Sequence, residues 1–99
     1  MFAIGALILT LAADAGAPAP AQMPACMHFR QESRWVPYGY NHVVIIDNGC
    51  SKPAACTIAT DVVPQPQNVE VPAAKSAEVT TFMASPQQSF NAKVRCVLR

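Results

Sequence analysis

A chain of 99 residues with a formal net charge of +1 and 13% charged residues has room for one domain at most, and lacks the electrostatic footprint of a nucleic-acid or membrane-surface binder. Hydrophobic residues make up 52% of it, but part of that content sits in its first residues and in alanine. The remaining core is small, and a core of that size needs help from cross-links.

Residues 2–13 ("FAIGALILTLAA") are apolar and uncharged. The run is too short to cross a bilayer core of about 30 Å as a helix. Its length and its small-residue exit suit a secretory signal, although no basic residue precedes it. Ala13-Asp14-Ala15 meets the small-x-small rule and predicts a signal over residues 1–15, with Ala19-Pro20-Ala21 as the alternative cleavage site after residue 21. Residues 16–25 ("GAPAPAQMPA") read as an extended Ala/Pro-rich leader. The domain proper is expected over residues 26–99. The mature form carries no transmembrane segment and is expected in the periplasm or outside the cell.

From Cys26 to Tyr40 the pattern fits either a strand or a short helix, stopped by Pro37 and Gly39. Residues 42–47 ("HVVIID") are β-branched and end at Asn48-Gly49, a turn signal. Residues 56–63 ("CTIATDVV") predict a strand closed by Pro64 and Pro66. Residues 68–71 ("NVEV") and 77–83 ("AEVTTFM") flank the connection "PAAKS" as in a hairpin with a longer loop. In residues 90–98 the alternation is regular, with Phe90, Ala92, Val94, Cys96 and Leu98 on one face and Asn91, Lys93, Arg95 and Val97 on the other. Five strands, with a sixth near residues 29–36, predict an all-β fold, a small antiparallel β-sandwich or barrel.

The stretch "PQNVEVPAAKSAEVTTF", residues 66–82, resembles a strand-and-turn hairpin of bacterial immunoglobulin-like sandwich domains. There a "V-x-V-P-A-G-x-S" segment leads into an alternating strand ending in Phe, and Ala74 stands where such domains often carry glycine. With the four cysteines, the chain resembles small exported immunoglobulin-like β domains of uncharacterised activity. The resemblance implies a fold and no function.

Cys26, Cys50, Cys56 and Cys96 are an even set in an oxidising compartment, which predicts two disulfides. If residues 42–48 and 56–63 are antiparallel neighbours turning about Pro53, Cys50 faces Cys56. Val44, Ile46, Ile58 and Val62 then share the buried side with both sulfurs. That register favours 50–56 with 26–96. The pairing 26–50 with 56–96 is also chemically sensible, and spacing does not choose between them. A redox pair would take the tighter C-x-x-C form at a helix start, and zinc would want C-x₂₋₄-C knuckles.

Catalytic and metal chemistry find no constellation. Blue copper needs two histidines, a thiolate and usually an axial methionine. His28 and His42 do not follow a late cysteine, and both read as surface residues. The serines lie in turns without a G-x-S-x-G elbow, and Asp47, Asp61, Glu70 and Glu78 read as single carboxylates. No cofactor, no metal site and no enzymatic activity are expected. "CSKPAAC" resembles in outline an inhibitor loop presenting Lys52, but Pro53 directly follows it.

The candidate binding residues are Trp35, Tyr38 and Tyr40 in "RWVPYGYNH", because aromatics with polar tips are favoured at binding surfaces; the alternative reading is that Trp35 caps the core and the tyrosines cover an edge. Lys93 and Arg95 form a basic row on the last strand. The expected protein is an exported, non-catalytic β-sandwich with a binding or structural role; its partner is left open by the sequence, with a protein or an anionic surface polymer as the candidates. A small-ligand or metal-binding domain is the second reading, and an enzyme or protease inhibitor the third.

Overall fold

The structure, a computed structural model, describes residues 23–99. The expected signal segment, its cleavage sites and most of the leader therefore lie outside the described residues. Within them the regular structure is all β, arranged in chain order as β1 (Met27–Val36), β2 (Gly39–Asn48), β3 (Ala54–Thr60), β4 (Gln67–Val71), β5 (Ser76–Ser85) and β6 (Ala92–Leu98). The ambiguous segment after Cys26 is thus a strand. Two antiparallel sheets form, in the orders β1-β2-β5 and β4-β3-β6. They enclose one core, to which β2 brings Val44 and Ile46, β3 brings Cys56 and Ile58, and β6 brings Val94.

Local sequence explains where the chain turns. β1 and β2 form a hairpin through Pro37-Tyr38, with Val36 opposite Gly39. Three connections carry the chain between the sheets, at residues 49–53, 72–75 and 86–91, and each contains a proline that cannot donate to a ladder. β3 stops at Thr60, before the expected end at residue 63. There the Thr60 hydroxyl accepts from the amides of Val62 (3.1 Å) and Val63 (2.8 Å), a local turn that competes with the ladder.

Strand pairing departs from expectation in two places. β2 and β3 are not neighbours, because β1 occupies one edge of β2 and β5 the other. The Cys50–Cys56 register therefore does not form, and the disulfides are Cys26–Cys50 and Cys56–Cys96. The favoured 50–56 with 26–96 pairing is corrected accordingly, and Lys52 does not sit in a loop closed by its flanking cysteines. Similarly, β4 and β5 are not a hairpin. They belong to different sheets, and Pro72–Lys75 is a crossover in which Lys75 N donates to Pro72 O (3.2 Å). Ala74, at the position where the resembled domains often carry glycine, has φ +59°.

The Cys56–Cys96 bridge follows from register. Arg99 N donates to Pro53 O (2.9 Å) across the two strands. That sets the phase, so Ala55/Val97 and Thr57/Arg95 are hydrogen-bonded pairs and Cys56/Cys96 is the non-hydrogen-bonded pair between them. Opposed residues approach more closely there, and the Cα atoms are 4.0 Å apart. Cys26–Cys50 clips the start of β1 to the chain leaving β2, where Gly49 N also donates to Cys26 O (2.9 Å).

Asn48 locks the corner where the sheets meet. Its Nδ2 donates to the carbonyls of Lys52 (3.0 Å), Val71 (3.1 Å) and Pro72 (3.2 Å), and its Oδ1 accepts from Cys50 N (2.8 Å). The side chain is buried and its polar atoms are partnered, so it costs little and specifies much.

β2 is buried on both faces. Val43 and Ile45 point away from the core yet are only 1% and 5% exposed. Their cross-strand neighbours are Glu32 and Thr80 for Val43, and Arg30 and Glu78 for Ile45. A chain of ion pairs runs over them: Asp47–Arg30 (3.2 Å), Arg30–Glu32 (3.8 Å), Glu32–Arg34 (2.9 Å) and Arg34–Glu78 (2.7 Å). Arginines in such positions can cover apolar surface with their aliphatic stems while the charged heads stay in water. Arg34 donates to both oxygens of Glu78, and this holds the Glu78 carboxyl below its ordinary range.

Candidate binding surfaces

The pairing brings the three aromatic candidates to one end of the first sheet. Trp35 lies directly opposite Tyr40, Tyr38 forms the hairpin tip, and Tyr40 is opposite Ser85 of β5. Trp35 is 71% exposed and Tyr38 89%. Tyr40 is half-buried. Trp35 therefore does not cap the core.

Two contacts hold this end in place. Gly39 has φ +150°, and a Cβ there would lie 2.5 Å from Ser85 O and 2.8 Å from Ala84 C. Only glycine permits this approach of the hairpin to β5. Asn41 Oδ1 also accepts from Ala84 N (2.9 Å).

Sequence reasoning missed Phe82 and Met83, which join this end as further exposed apolar residues. Continued alternation from Ala77 and Val79 would have turned Met83 inward. Irregular register between β2 and β5 on either side of His42 breaks that period, so no local signal marked the change.

His42 corrects another expectation. It is fully buried, because it shares the inward parity of Val44 and Ile46. Its ring stacks on Phe90 at 4.2 Å and 11°, and Nε2 donates to Gln87 O (2.7 Å). The 86–91 connection thereby covers the inner face of the first sheet as far as His42. Ser33 Oγ donates to Gln88 O on the same connection. Beyond His42 that cover ends, and Trp35 faces water.

Lys93 and Arg95 stand apart from the aromatic end, on the outer face of the second sheet. Lys93 is opposite Ala59 and Arg95 opposite Thr57. Among the described residues neither makes an ion pair, whereas Arg30, Arg34 and Arg99 all do. Lys93 also borders an open groove of about 520 Å³ between β1 and β6, lined by Met23, Phe29, Ala92 and Val94. The aromatic and basic candidates thus occupy two separate surfaces of the fold.

The carboxylates have structural partners: Asp47 takes Arg30 and Ser76, Asp61 accepts from Asn91 N (3.0 Å), Glu70 takes Arg99 and Glu78 takes Arg34. All four cysteines are in disulfides. Among the described residues no three His, Cys, Asp or Glu side chains cluster as metal ligands, and no helix is long and apolar enough to cross a membrane. Comparison with protein-family models, curated proteins and solved structures returned no match.

Proposed function

We propose that this chain is an exported, non-catalytic binding module of immunoglobulin-like build, which engages a protein partner through the aromatic end of its first sheet. Export is supported by the apolar segment at residues 2–13 and by the commitment of every cysteine to a disulfide. The strand orders support the immunoglobulin-like reading. With the strands renamed in chain order A, B, C, C′, E and F, the sheets are A-B-E and C′-C-F, a subset of the variable-type framework.

The exposure of Trp35 and Tyr38 on a braced hairpin is the observation that carries the binding reading. Large exposed aromatics cost solubility, and a rigid platform loses little entropy when a partner covers it. A copper site is disfavoured, since the cysteine sulfurs are bonded to one another and the His42 ring is enclosed.

A photocrosslinking residue at position 38, in protein expressed in its native producer, tests this reading. A discrete adduct is expected at position 38, and one that is absent with the same group at Asn68, on the other sheet. Equal crosslinking at both positions, or none at position 38, would refute the assignment.

A further inference from the structure

The free edge of β6 and the groove beside it form a second surface, independent of the aromatic end. The phase set by Arg99 N and Pro53 O directs the backbone groups of Arg95 and Val97 toward β3. Those of Val94, Cys96 and Leu98 therefore point away from β3. Among the described residues no strand pairs with that side.

At the start of the edge, a side chain from the other sheet already supplies the missing partner. Ala92 N donates to Gln31 Oε1 (3.0 Å), and Gln31 Nε2 donates to Phe90 O. Further along, the backbone groups have no such partner among the described residues. The groove between Phe29 and Val94 lies beside the Ala92–Val94 part of this edge, and its volume of about 520 Å³ lies in the range of ligand sites. Met23 lines it too, and packs against the core, so the groove already takes one apolar side chain from a segment outside the sheets. Lys93 and Arg95, on the same strand but on its outer face, have no counter-charge among the described residues.

We propose that β6 accepts an extended segment of a partner protein as an added strand. Its alternate apolar side chains enter the groove between Phe29 and Val94, and acidic side chains between them face Lys93 and Arg95. Strand addition draws affinity from main-chain bonds and specificity from side chains at alternate positions. An anionic polymer would use the two cations and leave both the backbone row and the apolar groove unsatisfied. The chain's own first 22 residues contain a single acid, Asp14, and do not present acids at alternate positions. β4 carries the sequence "NVEV" but is already paired with β3.

The test is selection of displayed random decapeptides on the purified, oxidised protein, followed by amide exchange with the best synthetic peptide. Enriched sequences should alternate apolar and acidic residues, and the peptide should slow exchange at Val94, Cys96 and Leu98 at least tenfold. The double variant Lys93→Glu, Arg95→Glu, with an unchanged melting temperature, should bind that peptide at least tenfold more weakly and select basic sequences instead. Enrichment without acidic alternation overturns the proposal. So does protection confined to the Trp35–Tyr38 end, or dextran sulfate binding through Lys93 and Arg95 while no peptide protects the β6 edge.

Discussion

Replacing Asn48 should remove a large share of the stability of the domain, although the residue touches no candidate surface. It is 3% exposed and joins the end of β2 to the 49–53 connection and to the β4–β5 crossover through four hydrogen bonds. In Asn48→Ala, the buried Cys50 N–H and Val71 C=O lose their partner, at about 1–3 kcal/mol each. The carbonyls of Lys52 and Pro72 are partly exposed and can turn to water. The expected cost is about 4 kcal/mol, against about 4–12 kcal/mol for a whole domain of this size. Asn48→Asp discriminates further. Its carboxylate keeps the bond from Cys50 N but faces three carbonyls with no hydrogen to give, whereas the protonated acid can donate one. The folded-state pKa of that new carboxyl is therefore raised above the unfolded value of about 3.9. Its favourable contribution is present below the unfolded pKa and is lost as pH rises through the folded one. Urea unfolding of the oxidised proteins at pH 4 and pH 7 should show the deficit of Asn48→Asp growing with pH relative to wild type. The deficit of Asn48→Ala should stay constant on the same scale. A cost below about 1 kcal/mol for the alanine variant, or a pH-independent deficit for the aspartate variant, would refute the view of Asn48 as the corner lock.

Peptide mapping without reduction should recover the 26–50 and 56–96 bridges and no free thiol. With sequence separations of 24 and 40, the chain-entropy model assigns the bridges about 3.5 and about 4 kcal/mol, so reduced protein should melt far lower. Gly39→Ala should cost about 3 kcal/mol, because φ +150° and the Ser85 and Ala84 backbone both oppose a Cβ; calorimetry showing under 1 kcal/mol would contradict the close approach of hairpin and β5. At Ala74, φ is +59°, and Ala74→Gly should stabilise by up to about 1 kcal/mol despite glycine's freedom in the unfolded chain. The Glu78 carboxyl should titrate below an ordinary glutamate because Arg34 hydrogen-bonds it. Its contribution to stability is full above the unfolded pKa and fades as pH falls through the folded one, and Arg34→Gln should return it to the ordinary range by NMR.

Alternation along single strands is legible in the order of amino acids alone. The period of two in residues 90–98 assigns Val94 and Cys96 to the core and Lys93 and Arg95 to solvent, and they lie there. Val44, Ile46 and Ile58 are likewise assigned to the buried side, and the even cysteine count foretells two bridges. These properties are local, or depend on number alone. What alternation does not encode is the neighbour, because a strand with one apolar face packs equally well beside several others. Only the tertiary structure places β5 rather than β3 beside β2, through contacts distant in sequence such as the bonds of Asn48 to Val71 and Pro72. Once those pairings exist, consequences follow that no window of sequence contains. Cys50 meets Cys26 instead of Cys56, the ion pairs from Asp47 to Glu78 close over Val43 and Ile45, and His42 turns from an expected surface residue into a buried ring stacked on Phe90.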